Sequence, residues 1–179
     1  MTFITQVLNG LQLGSIYALV ALGYTMVYGI ILLLNFAHGD IIMVGAYISW
    51  LVMSKLGLNP AIAVVLSVVG CMLLGVLIDK VAYAPLRDAP RLSILITAIG
   101  VSYFLENGSQ LLFGADAKVV PAYTSVSNIQ VGDLTLSFSA IVTVVVTAVA
   151  TVVLTFLVQK TKLGKAMRAV SEDMGAARL

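Results

Sequence analysis

Apolar positions in this chain do not alternate with polar ones. They run together in long charge-poor stretches, the pattern of helices set in lipid rather than of faces turned to water. Five windows stand out between turn signals: Leu11–Leu33, Phe36–Ser54, Pro60–Ile78, Leu92–Leu112 and Leu134–Val158. Each approaches the roughly 20 residues with which an α-helix crosses a hydrocarbon core about 30 Å thick. No charge separates the first two windows, where only Asn35, His38, Gly39 and Asp40 interrupt the apolar text. One helix from Ile4 to Ser54 would be about 75 Å long, far more than a bilayer needs. The chain must therefore turn or break near residues 34–40. The predicted fold class is all-α, a polytopic transmembrane helix bundle of about five spans forming a single membrane domain over residues 1–179.

Composition agrees. Hydrophobic residues make up 60% and charged residues 10%, with a mean hydropathy of +1.07, whereas soluble domains carry about 25% charge. The net charge of +2 is small, and no basic cluster with interleaved aromatics is present, so nucleic acid is excluded as a partner. Cys71 is the one cysteine, which excludes an internal disulfide or a cysteine metal site. The N-terminus lacks the positive region and cleavage site of a signal peptide, so the first span is expected to stay in the mature protein.

Lysine and arginine set the predicted orientation. With the tail from Lys160 on the cytoplasmic side, alternation also places the Lys80–Arg91 loop inside. Eight of the ten basic residues then lie inside, and only Lys55 and Lys118 outside, as the positive-inside rule requires. The N-terminus is predicted outside, the Asn35–Asp40 turn near the inner face, and Phe113–Asp133 as an external loop compatible with a short irregular hairpin.

Helices in lipid pack through small residues and hydrogen bonds. Gly10, Gly14 and Ala18 form a small-xxx-small row read as a packing groove. Thr135, Ser139, Thr143, Thr147, Thr151 and Thr155 recur every fourth residue. They predict a ridge of hydroxyls bonded back to preceding carbonyls, rather than a pore lining.

Several residues could carry chemistry. In the Asn35–Asp40 turn, one reading has Asn35 or His38 cap the next helix, Asp40 complement its positive end, and Gly39 let the backbone turn. The other has a broken helix whose exposed backbone lines a translocation path. His38 has no companion ligand for a metal. No catalytic triad or phosphate loop is spaced in the chain, so neither enzyme activity nor a cofactor is expected. Glu106, followed by Asn107, lies within the fourth window. It either contacts substrate in an outward cavity or sits at the interface. The segment 160–179 reads as amphipathic and cytoplasmic, with small residues that suit a groove on another protein.

Several segments together carry a family resemblance. They are Asn9-Gly10-Leu11-Gln12-Leu13-Gly14-Ser15-Ile16-Tyr17-Ala18-Leu19, Gly23–Ile30, Asn35–Asp40, Val81-Ala82-Tyr83 with Pro85 and Arg87, Arg91-Leu92, Ala98-Ile99-Gly100, Phe104-Leu105 with Asn107, and Arg168-Ala169 with Glu172-Asp173 and Ala176-Ala177. Over nearly its whole length the chain resembles the permeases of branched-chain amino acid ABC importers of the LivH type. Such permeases have further helices beyond the last motif, so the resemblance implies the N-terminal portion of a permease. It also implies a second permease subunit, a periplasmic substrate-binding protein, and cytoplasmic ATP-binding subunits that hydrolyse ATP in this chain's stead. Arg168, Glu172, Asp173, Gly175, Ala176 and Ala177 then form the ATPase-coupling segment, in the cell inner membrane's cytoplasmic aspect. Asn35, His38, Gly39, Asp40, Glu106 and Asn107 are the translocation-path candidates. Related permeases for urea and short amides share text near the turn, and an ATP-independent channel or carrier is the alternative from another class.

Overall fold

The computed structural model describes residues 3–31, 35–87, 89–121, 123, 129–131 and 134–172. Helices occupy all five predicted windows: α1 (Phe3–Ile31), α2 (His38–Trp50), α3 (Pro60–Ile78), α4 (Arg91–Phe113) and α5 (Phe138–Lys160). A short α6 (Lys162–Glu172) follows directly. Three helical stretches are long and apolar enough to cross a membrane by length and composition: Phe3–Gly29, Pro60–Leu86 and Phe138–Lys160. Their side chains are mostly exposed, as a lipid-facing surface must be. The helical-bundle expectation holds, with one small sheet added among the described residues. Strands β1 (Ile129–Val131) and β2 (Leu134–Leu136) pair antiparallel with Val131 opposite Leu134.

That hairpin lies partly in the predicted external loop. It also displaces the expected start of the fifth span: Leu134–Leu136 is spent on strand pairing, and α5 begins only after an extended Ser137. Elsewhere local chemistry sets the boundaries as the sequence suggests. Asn59 Oδ1 accepts the Ala61 N–H at 2.9 Å and Pro60 occupies the first turn, so α3 starts where predicted. After Ile78 the helix widens into a π turn (Asp79–Tyr83) and ends in a 3₁₀ turn at Ala84–Leu86, where Pro85 removes a donor. Gly57 and Gly114, with φ of 61° and 82°, end the second and fourth helical segments.

The chain divides into two compact units, Leu33–Ser125 and Met1–Leu32 with Val126–Leu179. In the first, α2 and α3 run antiparallel along a seam of small residues. Ser49 and Ser67 hydroxyls meet at 2.7 Å, Ser67 Oγ donates to Gly45 O at 3.0 Å, and Cys71 Sγ reaches Ile41 O at 3.4 Å. Gly45 approaches so closely that an added Cβ would stand 2.8 Å from Cys71 Sγ; one on Gly70 would stand 2.5 Å from Ile48 Cδ1. Without a hydrophobic drive between helices, such approach and such hydrogen bonds hold the pair together.

In the second unit, α1 packs on α5 around buried Ser15 and Thr147. Thr147 Oγ1 donates to Thr143 O at 2.8 Å and also reaches Ser15 O across the helices at 3.4 Å. The predicted hydroxyl ridge is present over its middle: Thr143, Thr147 and Thr151 each bond the carbonyl four residues back at 2.8 Å, whereas Thr135 lies in β2 and the Ser139 hydroxyl meets that of Ser137 at 2.7 Å. The Gly10–Gly14–Ala18 row behaves otherwise. All three residues are exposed, and a Cβ on either glycine meets nothing within 4 Å. Helix α1 uses Ser15, on a different face, for its packing in this unit.

Candidate functional site

Two places gather the polar residues singled out by the sequence, one in each unit. In Leu33–Ser125 the focus is the turn that opens α2. Asn35 Oδ1 accepts the Ala37 N–H at 3.2 Å and the Tyr83 hydroxyl at 2.9 Å, while Asn35 O accepts the His38 N–H at 3.2 Å. The side chain thus pins the turn to the π segment 48 residues on. It does not cap the helix: the residue preceding α2 is Ala37, fully buried, with no side-chain cap bond. The expected cap by Asn35 or His38 gives way because Asn35 Oδ1 is committed two residues downstream, outside the helix. Gly39 does not make the turn either. It lies inside the first turn of α2 with helical backbone, and the left-handed glycines among the described residues are Gly57 and Gly114.

Asp40 stands in the first turn of α2, where the helix macrodipole favours a carboxylate. It is only 8% exposed, and its Oδ2 has no hydrogen-bond partner among the described residues. A buried ionised carboxylate without a partner costs several kcal/mol (order of magnitude), more than the 0.3–1 kcal/mol or so a helix end returns. Beside this turn Arg87 pairs with Asp79 at 3.1 Å, both exposed. Glu106 and Asn107 lie elsewhere, on the exposed side of α4, whose buried stripe is Ala98 and Ser109. Asn107 Nδ2 is bonded to Tyr103 O at 2.7 Å. Among the described residues no hydrogen bond or ion pair joins Glu106 or Asn107 to the Asn35–Asp40 turn.

The second focus is the corner between α5 and α6. Thr161 ends one helix and begins the next: its N–H donates to Leu157 O at 3.3 Å, and its hydroxyl accepts the Gly164 N–H at 3.1 Å. The same hydroxyl donates to Leu157 O at 2.5 Å. Gly164 is buried against the last turn of α5, where an added Cβ would overlap Val158 O. Arg168 Nη2 reaches back to Gln159 O at 3.4 Å, placing a cation at the negative end of α5. The helix is amphipathic as expected, with Met167, Val170 and Ser171 turned inward and Lys162, Lys165, Arg168 and Glu172 outward. Between it, α1 and α5 lies a cleft of about 270 Å³ lined by Thr25, Met26, Gly29, Val158, Met167, Arg168 and Ser171. Of the predicted coupling residues, Arg168 and Glu172 lie on this helix; Asp173, Gly175, Ala176 and Ala177 lie outside the described residues. Sequence reasoning takes Gly164 only as one of the small residues of the tail and passes over Thr161, although a threonine directly after an apolar run is a readable N-cap signal.

Long apolar helices, exposed over most of their surface and joined through hydrogen-bonded polar groups at turns, seams and corners, define a polytopic helical membrane protein. Comparison with known proteins narrows this. Residues 6–179 match the family described as branched-chain amino acid transport system / permease component, and the chain belongs to that family. Relatives include the high-affinity branched-chain amino acid transport system permease proteins LivH of Escherichia coli K12, 40% identical over 192 residues, and LivH of Salmonella typhimurium, 39% identical over 191 residues. Both alignments cover 99% of this chain and 61% of the relative. BraD of Pseudomonas aeruginosa is 38% identical over 185 residues, covering 96% of this chain and 60% of its own length. The chain thus spans about three-fifths of the curated relatives it matches. No solved structure matches it.

Proposed function

We propose that this chain is the helical body of a permease subunit of an ATP-binding cassette importer that moves branched-chain amino acids across the cell inner membrane. It works with a second permease subunit, a periplasmic binding protein that delivers substrate, and cytoplasmic subunits that hydrolyse ATP. The N-terminus is outside and α6 inside, in keeping with the eight-to-two division of basic residues. The observation that carries the reading is the α5–α6 corner. It fixes an amphipathic helix to the end of an apolar one through Thr161, Gly164 and Arg168, so a push on α6 reaches α5 without slack. The segment from Arg168 through Glu172, Asp173, Gly175, Ala176 and Ala177 is the seat for the ATPase.

Asn35, His38, Gly39 and Asp40 contribute to the path; Asp40, whose Oδ2 has no hydrogen-bond partner among the described residues, suits a substrate ammonium. Glu106 and Asn107 face outward from α4, toward the path or a neighbouring subunit. Proteoliposomes holding the assembled importer test the reading. Reversing charge with Glu172→Lys and Asp173→Lys is expected to leave ATP hydrolysis running while leucine uptake falls at least about tenfold, a coupling loss of roughly 1.4 kcal/mol or more. Unchanged uptake removes the coupling assignment. Uptake of urea or acetamide in place of leucine by the unmodified importer moves the substrate to the amide class, and uptake without the ATP-binding subunits makes the protein a carrier.

A further inference from the structure

One aromatic cluster takes no part in the function proposed above. At the far end of α2 from the Asn35 turn, Tyr47 stacks on Phe113 with ring centroids 4.5 Å apart, and Phe113 meets Trp50 edge-on at 6.3 Å. Two ammonium groups converge on the same indole: Lys55 Nζ at 5.8 Å and Lys118 Nζ at 5.7 Å from the ring. The backbone is shaped to bring them there. In an α-helix, residues five apart point about 140° away from each other. The π turn Leu51–Lys55, with Leu56 N–H bonded to Leu51 O at 3.2 Å, winds more slowly and returns Lys55 toward Trp50. Gly114, at φ 82°, reverses the chain after Phe113 and leads it back to Lys118.

The two cations therefore lie within about 12 Å of each other, and among the described residues neither forms an ion pair. Apolar surface lies open nearby: Leu112, next to Phe113 on α4, is 80% exposed, and Leu56 and Leu58 are exposed beside the π turn. Two unpaired ammoniums, an indole and a skirt of bare leucines match a ligand with an anionic head and hydrocarbon chains.

We propose that Trp50, Lys55 and Lys118 form a binding site for the phosphate headgroup of an anionic phospholipid, whose acyl chains lie along Leu56, Leu58 and Leu112. The site stands on the membrane character of the chain and not on its substrate or its ATPase coupling. A soluble acidic protein would suit the charges but leave the leucine skirt without a partner, so lipid is the better occupant.

Tryptophan fluorescence tests this, with the signal of the Trp50→Phe variant subtracted. Protein in neutral-detergent micelles is titrated with phosphatidylglycerol or phosphatidylcholine carrying brominated acyl chains, which quench indole on contact. Quenching is expected at about thirtyfold lower concentration of the anionic lipid, taking roughly fivefold from each lysine. The preference is expected to vanish in K55Q/K118Q and persist in K55R/K118R, which keeps the charges. Equal quenching by the two lipids, or an undiminished preference in K55Q/K118Q, overturns the site. Displacement of the lipid by millimolar inorganic phosphate would make it a soluble-anion site. Shielding of Trp50 by an added binding protein, with no preference between lipids, would make it a protein contact; either result also overturns the proposal.

Discussion

Replacing Gly164 by alanine adds one methyl group, and the fold fixes where that group must go. It would overlap Val158 O and stand 2.5 Å from Leu157 O and Val158 C. These are backbone atoms in the last turn of α5, so no rotamer change relieves the contact. Either α6 lifts from α5 or the end of α5 unwinds. Overpacking of this kind costs about 1–3 kcal/mol, and tilting α6 also strains the Thr161 cap, worth about 1 kcal/mol more. Alanine's better helix propensity returns about 1 kcal/mol. The net is a loss of roughly 1–3 kcal/mol confined to α6, or a 5- to 150-fold increase in local opening.

Hydrogen exchange measured by mass spectrometry on peptides covering residues 162–172 reads this directly, because protection there reports opening of α6 alone. Gly164→Ala is expected to speed exchange by that factor. Gly10→Ala serves as the matched control: the same chemical change, at a helical glycine whose added Cβ meets nothing within 4 Å. It is expected to leave protection in α1 unchanged or raise it slightly, since only the propensity term acts. Thr161→Val, which keeps the branched shape but loses the hydroxyl bonds to Gly164 and Leu157, is expected to speed α6 exchange about fivefold. The reasoning is refuted if Gly164→Ala leaves α6 as protected as before, or if Gly10→Ala loosens its helix to the same degree.

Three further outcomes follow from the Leu33–Ser125 unit. Gly45→Ala drives a methyl group against Cys71 Sγ and is expected to cost about 1–3 kcal/mol; adding Cys71→Ala should recover at least about 0.5 kcal/mol relative to the sum of the single changes, and strict additivity in thermal unfolding would show that the two do not touch. Asp40→Asn removes a buried charge that has no partner among the described residues, so the midpoint of thermal unfolding should hold or rise; a fall of several degrees would reveal an ion pair with Asp40. Tyr83→Phe removes the hydroxyl bond to Asn35 at a cost of about 0.5–1.5 kcal/mol and should speed exchange of the Ala37 and His38 amides several-fold, whereas unchanged exchange would mean that Asn35 holds the turn alone.

Hydrophobic runs made the helices legible because lipid leaves the backbone almost no other choice. The window opening at Pro60 matches the start of α3 to the residue, where Asn59 caps it, and the spacing of Thr143, Thr147 and Thr151 revealed their back-bonding, since both are local effects a few residues long. The start of α5 was not legible. Leu134–Leu136 is as apolar as the helix that follows, and only pairing with Ile129–Val131 diverts it into a strand. A cap by Asn35 or His38 is one of the two readings the sequence allows for this turn, since Asn commonly acts as one; the bond that ties Asn35 down comes from Tyr83, 48 residues away. Convergence of Lys55 and Lys118 on Trp50 was hidden for the same reason, and because the π turn alters the angular spacing on which sequence patterns rely.

The two small-residue rows show what pattern alone leaves open. Gly10, Gly14 and Ala18 have the spacing of a packing groove, yet in their own unit they meet no helix; Gly45 and Ser49 have the same spacing and lie at the tightest contact in theirs. The difference is the opposite surface. Across from Gly45 stand Ser67, Gly70 and Cys71, small enough to allow close approach and able to donate to its carbonyl and to that of Ile41. Across the α1–α5 contact stands Thr147, which selects Ser15, whose carbonyl can receive its hydroxyl. In lipid, where apolar contact alone gives helices little reason to prefer one another, a groove becomes an interface only when the facing helix supplies both the room and the hydrogen bond.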